Sequence, residues 1–213
     1  PGLMVGYNRR FAPLSTWVKS HLDPQACPVM MDIRVNAGYI PADSWIQLPD
    51  IGGGRVLGEL CHFVDLMLYW AGAEPVRVMA TGVVSRSGKW QPEDNLLVQL
   101  AFKNGSAGHI LYTAMGSGRM PKERCEIFTA GNSFVIQDFR QGTGYIQGRE
   151  ETARFPGKGH REEVRAFIDA VHKGDGSPIP FEDILLVSLT TLKILKSLET
   201  RAPQDIDLHE LYP

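Results

Sequence analysis

Apolar and polar residues alternate with a period of two between residues 76 and about 155, and this feature constrains the fold more than any other. The alternation predicts six β-strands, at residues 76–84, 95–102, 106–115, 123–130, 133–139 and from 145 onward. Asn104-Gly105, between the second and third of them, is a strong signal for a tight β-hairpin. The sequence therefore predicts a sheet built largely from antiparallel neighbours.

Segments with helical periodicity flank this strand-rich stretch on both sides. Helices are predicted at residues 14–22, 55–70, 161–172 and 183–200, with one further strand at 29–35 and a loop at 36–54. Helices at both ends of a run of antiparallel strands indicate an α+β fold, with a large, mostly antiparallel open sheet and helices on one face. Residues 1–213 are predicted to form one domain.

The alternation also divides the strands into two faces. One set is predicted to pack against the helices: Leu96, Val98, Leu100 and Phe102. A half-apolar set is predicted on the open face: Asn95, Leu97, Gln99, Ala101, Arg77, Met79, Thr81, Val83, Ser106, Gly108, Ile110 and Tyr112. Such a patch usually marks an interface, so we expect a homo-oligomer, most simply a two-fold dimer, through the open sheet face. The alternative is a monomer whose mixed face is hydrated.

Composition argues against several classes of protein. With 213 residues, of which 43% are hydrophobic, the chain can bury a substantial core. Its formal net charge of −2 argues against a nucleic-acid partner, because such proteins usually carry a basic face. No apolar run reaches about 18 residues, so no membrane-spanning segment is predicted. Three widely spaced cysteines indicate neither a disulfide framework nor a zinc site, and a cytoplasmic location is expected.

A dinucleotide-binding turn needs the pattern G-x-G-x-x-G between a strand and a helix. The nearest approach is Gly142, Gly144 and Gly148, where the last spacing is one residue too long and strand signals lie on both sides. These glycines are interpreted as turn glycines. The chain by itself is therefore not expected to bind NAD or NADP.

The second predicted helix is apolar nearly all round, so it should be buried, and its few polar residues are informative. Gly58, His62, Asp65 and Tyr69 fall within a sector of roughly 60°, and Glu59 lies about 60° beyond His62. Asp65 is placed to orient the ring of His62, and such a pair can transfer protons near neutral pH. The alternative is a buried histidine with a structural role. Glu59 and His62 also match half of a di-iron site, but the strand-rich middle cannot supply the rest, so no metal is predicted.

Four motifs, in order along the chain, together resemble one protein family. They are Asn8-Arg9-Arg10-Phe11-Ala12-Pro13, then Gly52-Gly53-Gly54-Arg55, then Cys61-His62-Phe63-Val64-Asp65-Leu66, and a tail with Glu163, Phe167, Ile168, Asp169, Ala170, Gly174, Pro180 and Ser197. From Val5 on, the chain is similar to the C-terminal part of Gfo/Idh/MocA oxidoreductases, the group named for glucose–fructose oxidoreductase and inositol dehydrogenase.

This resemblance implies an α+β domain that follows a Rossmann domain binding NAD or NADP, shapes a sugar pocket and joins subunits through its sheet. Residues 1–10 would then be the tail of that nucleotide-binding domain. The resemblance also implies that His62 is the catalytic acid–base residue, assisted by a lysine in an upstream Glu-Lys-Pro motif. Many members carry an aspartate four residues before the histidine, where this chain has Gly58.

The loop before the second helix supplies further candidates for substrate binding. Asn36, Tyr39 and Trp45 follow a predicted strand and precede that helix, and polar groups with an aromatic face suit a sugar or polyol. Glu59 and Asp65 on the helix complete the predicted substrate-binding set.

Arg9 and Arg10 lie at the predicted domain junction, where they are candidates to contact the cofactor phosphate; the alternative is a solvated pair of charges. Two functions remain open for the chain. The first is the substrate-binding half of an NAD(P)-dependent oxidoreductase that acts on a sugar or polyol hydroxyl. The second is a non-enzymatic carbohydrate-binding or self-association module derived from such a domain, which the glycine at position 58 favours.

Overall fold

The computed structural model describes residues 2–48, 50–86, 89–155 and 157–211. Within these ranges the chain forms four α-helices: α1 (Pro13–Lys19), α2 (Cys61–Ala71), α3 (His160–Lys173) and α4 (Phe181–Thr200). One π-helical turn, Val56–Leu60, leads directly into α2. Short 3-10 turns lie at Asn8–Phe11, Trp45–Gln47, Pro92–Asp94 and Leu208–Leu211. None of the described helices combines the length and hydrophobicity needed to cross a membrane.

All the described strands belong to one nine-stranded sheet. They are β1 (Met30–Asn36), β2 (Pro75–Gly82), β3 (Asn95–Phe102), β4 (Ala107–Thr113), β5 (Glu123–Thr129), β6 (Asn132–Gln137), β7 (Gln141–Ile146), β8 (Arg149–Ala153) and β9 (Gln204–Asp205). Their spatial order is β8-β7-β6-β5-β1-β4-β3-β2-β9. β1 and β4 are parallel, whereas every other neighbouring pair is antiparallel. The predicted α+β class with a mostly antiparallel open sheet is confirmed.

The strand predicted from residue 145 onward is in fact two strands, β7 and β8. Gly142 and Gly144 lie within β7, so they are strand glycines and not the turn glycines that the sequence suggested. A Cβ atom added at Gly142 would lie 2.9 Å from a methyl carbon of Leu14, and one at Gly144 would lie 3.0 Å from the Trp17 ring. These glycines let α1 approach the sheet closely, and their missing side chains hide the alternation that marks the other strands.

Helices α1, α2 and α4 pack on one face of the sheet, and the core is one continuous cluster of buried apolar side chains, whereas α3 packs against the first 3-10 turn. Leu96, Val98, Leu100 and Phe102 are buried there, as predicted. The open face exposes several large apolar side chains: Met30, Leu97, Phe128 and Tyr145.

The face predicted for β4 is wrong. Leu100 lies opposite Gly108 and Val98 lies opposite Ile110, and directly opposed residues of antiparallel strands point to the same face. The predicted open-face residues of this arm are therefore buried: Ser106, Gly108, Ile110 and Tyr112. Asn95 is buried too, where its Oδ1 accepts hydrogen bonds from the Thr113 hydroxyl and the Ala114 amide.

Candidate functional site

A cavity of about 730 Å³ lies where the π turn, the loop before it, the first 3-10 turn and the start of α3 meet. Its polar lining comes from residues far apart in the sequence: Asn8, Arg9, Arg55, Glu59, His62, His160 and Glu163. Its apolar lining comes mainly from the loop: Ile40, Trp45, Ile46 and Ile51. A mostly apolar cleft with a few convergent polar groups is the usual form of a small-molecule site.

Two glycines allow the elements around the cavity to meet. A Cβ atom at Gly52 would lie 2.5 Å from the backbone of Ile46, so the loop can fold back on itself only with glycine here. Gly159, with a φ of 90°, is the residue before α3, and a Cβ atom there would collide with the carbonyl oxygen of Asn8. Glycine at position 159 therefore brings the start of α3, with its two cavity residues, against the first 3-10 turn.

His62 lies on the first turn of α2, immediately after the π turn. Its ring is half-buried and meets the edge of the Tyr7 ring, with 5.9 Å between the centroids. Its Nδ1 is buried and has no hydrogen-bond partner among the described residues, so the imidazole meets the cavity through the rest of its ring, which carries Nε2. Burial, followed by the charge of Arg9, lowers the pKa of His62 to about 4. The imidazole is therefore neutral near pH 7.

Glu59, on the π turn, is held by three hydrogen-bond donors. Arg55 Nη2 lies 2.8 Å from its Oε2, the Tyr112 hydroxyl donates to the same oxygen at 2.5 Å, and Lys122 Nζ lies 2.5 Å from Oε1. Burial alone would raise the pKa of Glu59, but these donors lower it to about 2. The carboxylate is thus ionised and rigidly placed at one side of the cavity. The π turn is what brings both Glu59 and His62 to the cavity, because it holds more residues per revolution than an α-helix.

Arg9 and Arg10 are both buried in ion pairs, so the alternative of a solvated charge pair is wrong. Arg9 makes two hydrogen bonds to Glu123, of 2.9 and 3.1 Å, and its guanidinium lies 4.6 Å from the centre of the Phe63 ring. Arg10 makes three hydrogen bonds of 2.5–3.1 Å to Asp65 and reaches Asp183 at 3.0 Å. Arg9 lines the cavity, whereas Arg10 and Asp65 lie beneath it in the core.

Of the three site residues predicted in the loop before α2, one lines the cavity and two make contacts elsewhere. Trp45, which is largely exposed, lines the cavity. Tyr39 instead packs edge-on against Trp90, with 5.5 Å between the ring centroids. Asn36 is buried, and its amide donates to the carbonyl oxygens of Ser117 and Met120, so it holds the loop between β4 and β5.

Four polar residues of the cavity were not among the site residues predicted from the sequence: Asn8, Arg55, His160 and Glu163. Glu163 belongs to the tail motif of the resemblance, but nothing in the local pattern places it near His62, which lies about one hundred positions earlier. Arg55 follows the three glycines at positions 52–54. The sequence signal that could have identified it is a charged residue at the start of an otherwise apolar predicted helix. Among the described residues, no group of three or more His, Cys, Asp or Glu side chains is arranged to hold a metal ion.

The sequence model of the GFO/IDH/MocA C-terminal domain matches residues 28–135, about half of the chain. The chain belongs to the GFO/IDH/MocA family. The match runs from β1 to β6 and includes the π turn and α2, so Glu59 and His62 lie inside the family core. Arg9 and Glu163, which also line the cavity, lie outside it.

Solved structures share the fold of this GFO/IDH/MocA domain over nearly its whole length. An oxidoreductase domain protein from Kribbella flavida matches 96% of the chain with 20% identity and a TM-score of 0.77, and the chain covers 66% of it. Aldose-aldose oxidoreductase from Caulobacter crescentus, complexed with glycerol, matches 96% with 17% identity and a TM-score of 0.80, with 64% of it covered. Levoglucosan dehydrogenase, in complex with NADH and levoglucosan, matches 96% with 20% identity and a TM-score of 0.80, with 66% covered.

The chain thus spans slightly less than two thirds of the length of these structures. Because the sequence identities are only 17–20%, the similarity to these structures is evidence for the fold alone. No curated protein matches the sequence.

Proposed function

We propose that this domain is the substrate-binding half of an NAD(P)-dependent oxidoreductase that acts on a sugar or polyol hydroxyl. The observation that carries the proposal is His62, a neutral imidazole that lines a cavity of about 730 Å³ between an ionised Glu59 and apolar walls. Oxidation of a secondary alcohol removes a hydride and a proton, and a neutral imidazole can accept the proton. The role proposed for His62 is this proton transfer.

The chemistry of the cavity suits a hydroxyl-bearing ring. Trp45 and the isoleucines offer an apolar surface to C–H groups, while Asn8, Glu59 and Glu163 offer polar groups to hydroxyls. Two of the similar structures carry such ligands in their own right, glycerol in one and levoglucosan in the other. Substrate roles for Glu59 and Trp45 follow from their positions in the cavity wall.

The hydride acceptor would have to be held by a domain outside this chain. NAD or NADP supplies the hydride acceptor when bound, and a levoglucosan dehydrogenase structure contains NADH. Of the glycines that come nearest to a dinucleotide motif, Gly142 and Gly144 lie within β7 against α1, and Gly148 lies in the turn before β8, so a strand follows where a helix would be needed to bind the pyrophosphate. The residues described here therefore do not fit a dinucleotide by themselves.

The test is a pair of measurements. The protein that joins this domain to a nucleotide-binding domain is expected to reduce NAD⁺ or NADP⁺ in the presence of a sugar or polyol, monitored by NAD(P)H absorbance. The 213-residue chain alone is expected to give no heat of binding with NADH in calorimetry. Micromolar NADH binding by the chain alone contradicts the second expectation. A joined protein that binds sugars but turns none of them over favours the non-enzymatic binding module.

We also propose that the domain forms a two-fold dimer through the open sheet face. Met30 and Phe128 are paired across β1 and β5 on this face, with 64% and 42% of their surfaces exposed. Leu97 on β3 adds a third large exposed apolar side chain, and together they make a patch that a monomer would leave in water.

Light scattering is expected to give about twice the monomer mass of 23.6 kDa at micromolar concentrations. Phe128→Asp places a charge in the middle of the face and should give the monomer mass, because a buried unpaired charge opposes association. The control is Val164→Asp on α3, a comparably exposed apolar residue away from the sheet, which should stay dimeric. A wild-type mass of 23.6 kDa at all concentrations shows that this proposal is wrong.

A further inference from the structure

Glu163 is a buried carboxyl group for which the described protein residues supply no partner. It lies in the first turn of α3, only 6% of its surface is exposed, and it lines the same cavity as His62. Its Oε1 is buried and accepts no hydrogen bond from any described residue. Glu123 and Asp65 differ in this respect, since Glu123 is bound by Arg9 and Lys158 and Asp65 by Arg10. Asp94 also has a buried oxygen without a described partner, but Gln47 donates a hydrogen bond to its other oxygen.

A single stretch of chain connects Glu163 to His62. A methyl group added at Gly6 would lie 3.8 Å from Glu163 Oε1, and the next residue, Tyr7, presents its ring edge to the His62 imidazole. Glu163 and His62 therefore lie near neighbouring residues of the same segment, and both line the cavity. Both carry a buried polar atom without a partner among the described residues.

A carboxyl group in this position is costly for the folded chain. Burial raises the pKa of Glu163, because the charged form loses hydration without gaining a donor to Oε1 among the described residues. The last torsion of a glutamate side chain is broad and soft, so either oxygen can turn toward the cavity. A polar group that is buried without a protein partner is accounted for if a ligand supplies the hydrogen bond.

We propose that Glu163 is a substrate-binding residue that takes up one hydroxyl group of a polyol while His62 contacts another. The class of ligand rests on the proposed function, but the assignment of Glu163 rests on its own burial and position. Two polar groups that line one cavity favour ligands with at least two hydroxyls. A monohydric alcohol can satisfy only one of them.

The test combines stability and ligand binding in the full 213-residue chain. Glu163→Leu replaces the carboxyl group by an apolar side chain of similar size. It is expected to raise the midpoint of thermal unfolding, because a buried unpaired polar group is removed. It should also weaken the binding of D-glucose and myo-inositol by roughly tenfold, as followed by NMR titration of the backbone amides around the cavity.

Two further variants make the result specific. Thr190→Val removes another buried hydroxyl without a described partner, on α4 away from the cavity, and should leave sugar binding unchanged. Glu163→Gln keeps the shape of the side chain and provides a carbonyl acceptor and an amide donor for a hydroxyl group, so its binding should stay close to that of wild type. If the Glu163→Leu variant fails to fold, Glu163→Gln still tests the proposed role of Glu163.

The outcomes separate this proposal from the proposed function. A Glu163→Leu chain that binds both sugars like wild type overturns the role of Glu163, and a gain in stability alone then marks a surface for another domain. Loss of binding in both Glu163→Leu and Glu163→Gln overturns it as well, because the neutral amide should have replaced the acid. Binding that depends on Glu163 in a joined protein without any dehydrogenase activity supports the subsite and contradicts only the oxidoreductase.

Discussion

In the proposed oxidoreductase, in which this domain is joined to a nucleotide-binding domain, replacing His62 by alanine is expected to lower kcat by roughly 10²-fold or more. This is the usual scale for the loss of a general acid–base group. Burial and the charge of Arg9 lower the pKa of His62 to about 4, so the imidazole is neutral near pH 7 and has a free nitrogen to accept the substrate proton, while the same shift makes it a weaker base than an ordinary histidine. The fold should remain intact, since Nδ1 makes no hydrogen bond to a described residue. Steady-state turnover with the true substrate measures the effect.

The matched control is His172→Ala, an exposed histidine in the last turn of α3 that should leave kcat unchanged. Circular dichroism and the thermal midpoint show whether either variant is misfolded. Turnover of His62→Ala within about twofold of wild type means that His62 has a structural role, as the alternative interpretation of the sequence held.

Glu123→Gln is expected to lower the free energy of unfolding by about 3–5 kcal/mol, as removal of one partner of a buried ion pair usually does. Glu123 is 1% exposed, and it holds both Arg9 and Lys158, whose Nζ lies 2.6 Å from its Oε1. Without the carboxylate, the Arg9 guanidinium stays buried with no anion to compensate it. Urea denaturation of the 213-residue chain gives the change.

An exposed ion pair provides the control for this variant. Arg77 and Asp205 lie 2.8 Å apart with 62% and 74% of their side chains exposed, so Asp205→Asn should leave the free energy of unfolding nearly unchanged. Equal losses for the two variants would falsify the view that burial makes the Glu123 pair important.

The effect of Glu123→Gln should also depend on pH. Burial alone would raise the pKa of Glu123, but Arg9 and Lys158 hold it below its ordinary value of 4.5. A lowered pKa in the folded state adds stability that is fully present above 4.5 and is lost as the pH falls through the folded value. The difference between wild type and variant should therefore be constant near neutral pH and shrink in acid.

The polar residues of the second predicted helix show which features helical periodicity can predict and which it cannot. Most of them were predicted to share one face, with Asp65 orienting His62, and Glu59 was predicted to point elsewhere. In the structure Arg10 covers Asp65 and lies 5.5 Å from the Tyr69 ring centre, while the π turn brings Glu59 to the cavity beside His62. The pattern could not reveal Arg10, because a partner 55 positions away leaves no trace in helical spacing.

Local signals determined most of the elements of this protein. Alternation and turn chemistry placed β3 at Asn95–Phe102 and the hairpin that follows it, because strand pairing between neighbours in sequence depends on a few nearby residues. Tertiary structure alone decided three features: the position of β1 between β4 and β5, the strand register that buries one face of β4, and the presence of Glu163 and His62 in one cavity. These depend on contacts between residues far apart in the chain, whose identities constrain one another only after the chain has folded.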